Sequence, residues 1–510
     1  MKLERTKNAK RNIAFGLVNK AVTLILPFVI RMVIIRQIGA EYLGLDSLFA
    51  SILQILNLTE LGFSSAVIYS MYRPIAENDT DTLCAILRYY RRIYSVIGTI
   101  IFAAGLALLP FLPKLIHGTY PETINLYVLY LIYLFNTAIS YWLFAYKSSL
   151  LNAYQRQDVI SIINTAVRLC TYLLQIILLV ITHNYYFYAV ALIFSSVATN
   201  ICTAVLTKKM YPHLFCRGQL VPQVRKDINI KVKGLLIEKI CTTSRNAFDS
   251  VFVSAFLGLT QTAMYNNYYY VLSGVTAILS VFSQSIQAGV GNSIATETVK
   301  KNYDDMTKIN FAYMVLSGIC ASCLLCLSQP FMLWSFKDPN LLFPLPTLIL
   351  FCGYFYLLKM GDIRSVYAEA NGLWWFNRHR SVCEAVANVI LNYVLGRFFG
   401  VNGIIAATMI SLFVFNFLWG SNIIFRQYYI GISIREYFLT HGLYAVTTLV
   451  SCTAAYLLCI RVPVENLILN MGCRLMICGV VAVICYFAAY HRTKYYKMCL
   501  AWVRGVIHRA

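Results

Sequence analysis

Long runs of apolar residues dominate the chain and predict membrane-spanning helices. A helix needs ~20 mainly apolar residues to cross the ~30 Å hydrocarbon layer of a bilayer. Fourteen runs are long enough, whereas the strands of a barrel would be short and would alternate polar with apolar residues. The predicted spans are residues 12–37, 44–72, 93–116, 123–150, 158–182, 185–206, 234–257, 262–292, 309–334, 344–371, 381–399, 402–424, 439–460 and 471–490. We therefore expect an all-α integral membrane protein with about 14 transmembrane helices.

The second half of the chain aligns with the first after a shift of 219 residues, which pairs Lys20 with Lys239 and Gly39 with Gly258. Six spans precede the restart, so both halves would begin on the same side of the membrane. Parallel repeats of this kind form the two lobes of alternating-access transporters. We therefore predict two pseudo-symmetric six-helix lobes and two further C-terminal helices. The expected segments are an N-lobe (1–206), a cytoplasmic inter-lobe linker (207–233), a C-lobe (234–426), an interfacial segment with the last two spans (427–490) and a basic tail (491–510).

Charged residues are scarce and unevenly distributed. They make up 13% of the 510 residues, whereas soluble proteins contain about 25%. Thirty Lys and Arg residues lie in the termini or in and beside the even-numbered connections, and four lie in or beside the odd-numbered ones. This bias predicts that both termini are cytoplasmic in the inner membrane of a bacterium. The net charge of +22 is dispersed among apolar spans, so we do not expect nucleic acid as a partner.

Several spans carry ionisable residues, which cost ~2.5–3.5 kcal/mol each at the centre of a helix and usually face a cavity or a partner. In the first span Lys20 and Arg31 share one helical face, and in the seventh Arg245 and Asp249 do. Because cations exceed nearby carboxylates, the pattern predicts a water-filled cavity for an anionic substrate. The predicted cavity residues are Lys20, Arg31, Lys239, Arg245, Asn246, Asp249, Lys359 and Arg364.

Some of these positions have a structural alternative. Lys359 and Asp362, at i and i+3, are equally well explained as an ion pair within one helix. Asp46 lies near the outer end of its span, and simple solvation of its carboxylate is one interpretation. The sequence from Tyr265 through Asn266 and Asn267 would contact a glycan, or would form part of an interfacial aromatic belt.

No catalytic, metal or cofactor site is predicted. Cys320, Cys323 and Cys326 have C-x-x-C-x-x-C spacing, but they lie in an apolar span with no fourth ligand nearby, which favours packing. The external connections are too short for the catalytic domain of a glycan polymerase or ligase. We therefore expect a transporter and not an enzyme.

Short motifs complete the pattern. They are Ile38-Gly-Ala-Glu-Tyr-Leu-Gly-Leu45, Glu60-Leu-Gly-Phe-Ser64, Leu151-Asn-Ala-Tyr-Gln155, Ala370-Asn-Gly-Leu373, and Asn388-Val-Ile-Leu-Asn392 followed by Gly400-Val-Asn-Gly403. With the fourteen spans, they resemble the polysaccharide flippases of the multidrug/oligosaccharidyl-lipid/polysaccharide exporter superfamily. The resemblance implies transport of undecaprenyl-diphosphate-linked oligosaccharides to the outer leaflet for surface polysaccharide. It also implies membrane lipids, and a glycan polymerase and glycosyltransferases of the same pathway, as partners.

A second interpretation comes from the same superfamily. Its cation- or proton-coupled multidrug exporters also have paired lobes, but typically have twelve spans and a cation site rich in carboxylates. Asp249, Asp362 and Glu384 are compatible with that alternative. The cations of the first and seventh spans and the additional C-terminal helices favour the flippase.

Overall fold

The computed structural model is helical, and no strand occurs among the residues that it describes. These residues are 5–57, 67–68, 70–71, 74–75, 77–116, 120–144, 146–154, 156–223, 225, 245, 247–464, 466–494 and 496–500. The helices are α1 (Arg5–Gln37), α2 (Ala40–Leu56), α3 (Thr80–Leu108), α4 (Leu126–Trp142), α5 (Tyr146–Ala153), α6 (Gln157–Thr182), α7 (Tyr185–Met210), α8 (Ala247–Leu257), α9 (Leu259–Thr296), α10 (Val299–Phe336), α11 (Leu345–Met360), α12 (Asp362–Ala370), α13 (Trp374–Ser411), α14 (Gly420–Gln427), α15 (Ile434–Cys459) and α16 (Leu467–Tyr490).

Each of the fourteen predicted spans overlaps one of these helices, the seventh through α8 alone. Eight helices in the described parts of the chain pass a test of length and apolar character for crossing a membrane, and the bent pair α4–α5 would make nine. The longest apolar segment among them, Phe376–Gln427, runs from α13 to the end of α14. It contains two predicted spans, which meet where Gly400 leaves helical geometry (φ 59°, ψ −138°). The chain is an all-α, multi-pass membrane protein.

The repeat is visible in where the helices begin. Three pairs of helices start 219 residues apart, at Ala40 and Leu259, at Thr80 and Val299, and at Leu126 and Leu345. Gly39 and Gly258, which the same shift aligns, precede the first pair and both have positive φ (113° and 89°). Glycine adopts this conformation without the steric cost of a Cβ atom. The structure therefore confirms the internal repeat that the sequence predicts.

Equivalent residues also cap the second pair of helices. Asp79 accepts a hydrogen bond from the Thr82 amide at 2.9 Å at the start of α3. Thr298, 219 residues later, accepts one from the Lys301 amide at 3.3 Å at the start of α10. Such caps satisfy amides that have no partner within the first helical turn.

Contacts divide the chain into two compact units, Met1–Ala263 and Met264–Ala510. The first has a core that includes Phe49, Tyr130 and Tyr133. The lobe and linker boundaries expected from the sequence stay predictions.

Hydrogen bonds at the helix ends of the first unit fit the alternating passage of its spans. At one end, Tyr42 pairs with Thr123 at 2.7 Å, and the Asn125 amide donates to the Tyr186 hydroxyl at 2.6 Å. All four residues border predicted external connections. At the other end, Arg217 pairs with Asp81 at 3.0 Å, and both border predicted cytoplasmic connections.

In the second unit too, hydrogen bonds join helix ends that are predicted to lie on the same side of the membrane. Asn302 donates to the Tyr428 hydroxyl at 2.9 Å at the predicted cytoplasmic end, whereas Thr347 donates to Asn402 at 2.7 Å at the other end. These contacts support the order in which the spans cross the membrane. Which end faces the cytoplasm stays a prediction from the charge bias.

Candidate functional site

The polar face of α1 packs against α6 in the first unit. The Thr23 hydroxyl donates to the Asn19 carbonyl at 2.6 Å, and the Arg168 guanidinium donates to that hydroxyl at 3.4 Å. Thr165 reaches the Asn19 side chain at 3.3 Å. Lys20, the first predicted cavity residue, lies beside Asn19 and is half-buried. The structure thus places Arg168, a cation, on the same helix interface as a predicted binding residue.

A second polar cluster surrounds Asp46. The half-buried Arg31 interacts favourably with its carboxylate. The Tyr133 hydroxyl donates to the carboxylate at 2.5 Å and pairs with the Tyr185 hydroxyl at 2.9 Å. The half-buried Asp46 therefore has protein partners and is not held by solvent alone. Buried tyrosines usually find a partner for their hydroxyl group, and the many tyrosines of the chain were the signal for this cluster.

The seventh span is described in part. Arg245 (7% exposed) and the fully buried Asp249 are one helical turn apart. Lys239 and Asn246 lie outside the described residues, so their predicted roles stay predictions.

Lys359 forms an ion pair with Asp362, as the structural interpretation of these two residues predicts. Its ammonium lies 2.7 Å from the Asp362 carboxylate, and the Tyr313 hydroxyl donates to the same oxygen at 2.5 Å. The Lys359 side chain is only 4% exposed. In this conformation, Asp362 and Tyr313 therefore hold the lysine inside the second unit.

Arg364 is also enclosed by protein. Its guanidinium donates to the Asn416 carbonyl at 2.8 Å, to the Asn416 side chain at 3.0 Å and to Ser365 at 2.9 Å. Asn416 belongs to the π-helical segment Leu412–Trp419, a geometry that is often found at functional sites. A Cβ atom on Gly420 would lie 1.9 Å from the guanidinium, so a larger residue here would force the guanidinium to move.

Two further buried polar pairs occur in the second unit. Arg380 and Glu384 form an ion pair at 3.0 Å, and their side chains are 10% and 9% exposed. Asn310 and the buried His441 are 3.2 Å apart. The sequence drew attention to Glu384 but did not predict its partner.

The predicted glycan contacts are largely enclosed. Tyr265 is 1% and Asn267 2% exposed, while Asn266 is half-buried. The Tyr265 ring lies 5.4 Å from that of Phe351 and stacks on Tyr269 at 6.2 Å. A ring this buried does not fit an interfacial belt, and a glycan would reach it only in another conformation.

The cysteines of α10 have partners from the last two helices. The sulfur atoms of Cys326, Cys459 and Cys478 lie within 4.8 Å of one another and are buried. Such a group could hold a soft ion such as Cu(I) or Zn(II). However, the Cys478 thiol donates to the Ser322 carbonyl at 3.5 Å and the Cys459 thiol to the Arg474 carbonyl at 4.0 Å, as protonated thiols do.

An internal repeat of membrane-spanning helices is a feature of many transporter folds. The chain belongs to the polysaccharide biosynthesis protein family, whose model matches residues 9–286. Among curated proteins, no sequence matches the chain.

Solved structures share this fold at low sequence identity. The lipid II flippase MurJ, in an inward closed conformation, is 15% identical with a TM-score of 0.66, and the match covers 94% of this chain and 98% of MurJ. An inward-facing multidrug resistance MATE transporter is 14% identical with a TM-score of 0.60, covering 78% and 93% of the two chains. A point mutant of the Vibrio cholerae MATE transporter VcmN is 12% identical with a TM-score of 0.56, covering 80% and 94%.

Proposed function

We propose that the protein is an alternating-access flippase. It moves undecaprenyl-diphosphate-linked oligosaccharide repeat units from the cytoplasmic to the outer leaflet of the bacterial inner membrane, with both termini in the cytoplasm. Membership of a polysaccharide biosynthesis family supports the glycan part of this substrate. The observation that carries the lipid part is an apolar groove in the second unit.

The groove lies between α10, α11 and α15 and has a volume of about 320 Å³. Its rim is open, since Ile349 is 50% and Leu449 66% exposed. The side chains that line it are mainly apolar, among them Ala321, Leu325, Leu345, Ala445 and Leu457. A sugar or a drug cation would leave polar groups unsatisfied against such a surface, whereas a polyprenyl chain needs no hydrogen bonds.

The diphosphate of the substrate would require cations. Lys20 and Arg31 belong to polar clusters of the first unit, and Arg168 contacts a neutral hydroxyl group. At an effective dielectric constant of 20, a cation 4 Å from one negative charge gains about 4 kcal/mol before desolvation. Moving two negative charges outward would release about 4.6 kcal/mol per 100 mV of inside-negative potential. The membrane potential would therefore help to drive export.

The test is translocation in vesicles. Purified protein is reconstituted with a fluorescent polyprenyl-diphosphate oligosaccharide, and the outward-exposed fraction is measured with a membrane-impermeant quencher. We expect protein-dependent translocation. Ala445→Trp should lower its rate about tenfold, because the indole fills a groove of the ordinary size of a ligand site.

Leu439→Trp is the matched control. Leu439 lies on the same helix, does not line the groove and is 60% exposed, so this variant should translocate at the normal rate. Export of cationic drugs without translocation of the lipid-linked oligosaccharide would favour the multidrug exporter instead. That outcome would reject the flippase.

A further inference from the structure

The connection after α7 folds back onto the beginning of α3. Arg88 donates to the Gly218 carbonyl at 3.0 Å, and Arg217 pairs with Asp81 at 3.0 Å. Gly218 has a φ of +78°, a value that favours glycine, so the bend is encoded in the sequence. The start of the predicted inter-lobe linker is thus attached to α3.

This attachment creates a polar pocket of about 140 Å³ that is lined by three arginines. Arg88 and Arg92 lie one turn apart on α3, and Arg225 comes from the connection. The Arg225 guanidinium lies over the Tyr89 ring, 5.6 Å from its centre. Within the described residues, no carboxylate forms an ion pair with any of the three arginines. Like charges at i and i+4 repel each other, so the pocket has an excess of positive charge that an anion would neutralise.

We propose that this pocket binds the diphosphate of the lipid-linked oligosaccharide on the membrane side that is predicted to be cytoplasmic. The inference rests on the proposed function and adds a first binding site to it. Guanidinium groups hold phosphate oxygens through paired, charge-assisted hydrogen bonds. The tyrosine ring fixes the orientation of one guanidinium by a cation–π contact.

Charge decides between two lipid headgroups that carry phosphate. The diphosphate diester of the substrate has two negative charges, whereas an ordinary phosphatidylglycerol headgroup has one. Three arginines match the diphosphate better. Basic pockets beside transmembrane helices on the cytoplasmic side are known to bind anionic lipid headgroups in general, so the phospholipid is the competitor that the experiment must separate.

The experiment measures binding to the full chain in nanodiscs. The probe is a polyprenyl-diphosphate-linked monosaccharide, and phosphatidylglycerol in the disc is the competitor. The decisive variant is Arg92→Gln with Arg225→Gln, which leaves Arg88 to hold the connection on α3. We expect its Kd for the probe to rise about tenfold or more, because each lost guanidinium removes charge-assisted hydrogen bonds. Lys209→Gln removes an exposed cation that is outside the pocket and should leave the Kd unchanged.

The same vesicle assay separates this inference from the proposed function. Equal binding and equal translocation by wild type and the double variant would overturn the pocket and leave the flippase intact. Wild-type protein that translocates no lipid-linked oligosaccharide would overturn the flippase itself. Phosphatidylglycerol that displaces the probe as well as unlabelled substrate does would overturn the assignment to a diphosphate.

Discussion

The two repeats share a helical plan, but Arg168 in the first is held differently from Lys359 and Arg380 in the second. In the first, Arg168 is half-buried and contacts the neutral Thr23 hydroxyl. In the second, Lys359 and Arg380 are buried and paired with carboxylates at 2.7 and 3.0 Å.

This difference predicts which of these cations matter for stability and which matter for transport. Removing one member of a buried ion pair leaves an uncompensated charge and is costly, whereas replacing both with apolar residues is often neutral. Truncating a half-buried cation that contacts a hydroxyl group should lower the stability of the protein little. We therefore expect breaking the Lys359 or Arg380 ion pair to affect mainly folding, and substitution of Arg168 to affect mainly the handling of an anionic substrate.

The largest effect is expected for Asp362→Ala. It leaves the buried Lys359 ammonium without its carboxylate and the Tyr313 hydroxyl without its acceptor. The loss should be about 3–5 kcal/mol in the free energy of unfolding. Reversible unfolding in mixed detergent, followed by tryptophan fluorescence, measures it.

The control for this variant replaces both partners, as Lys359→Met with Asp362→Leu. It should recover most of the lost stability, because no charge is left buried. If the single variant unfolds like the wild type, the pair is not structural and Lys359 returns to the set of candidate cavity residues.

Whether the sequence predicts a structural feature depends on how far apart along the chain the residues that form it lie. The spans and the 219-residue repeat follow from run length and spacing along one chain, and the helix starts at Thr80 and Val299 confirm them. The Lys359–Asp362 pair was visible because its members are three residues apart.

Contacts between distant helices could not be found in this way. Tyr133 lies 87 residues from Asp46, and Asn416 lies 52 residues from Arg364. No spacing rule joins such positions, because their distance depends on how the helices pack. The sequence therefore predicts which intramembrane groups require partners, but not which partners they have.

A smaller change in stability is expected for Arg168→Ala. Its hydrogen bond to Thr23 is long, at 3.4 Å, and an ordinary hydrogen bond contributes about 0.5–1.5 kcal/mol. Translocation of the lipid-linked oligosaccharide should nevertheless fall about tenfold if this cation attracts the diphosphate. Arg168→Lys keeps the charge and should retain most of the transport. Normal transport by the alanine variant would remove this residue from the substrate path.

The smallest effect concerns the helix caps Asp79 and Thr298, which are equivalent in the two repeats. Only Asp79 can titrate. Hydrogen bonds from the Thr82 side chain and amide hold the pKa of Asp79 below its usual value, whereas Thr298 has no charge to lose. The cap therefore stabilises α3 above the unfolded pKa of Asp79, and this contribution is lost as the pH falls through the lower folded pKa. Hydrogen exchange at Thr82, corrected for its intrinsic pH dependence, should lose protection over that range, while protection at Lys301 should not. Asp79→Asn should abolish the difference, and equal loss at both caps would show that acid acts elsewhere.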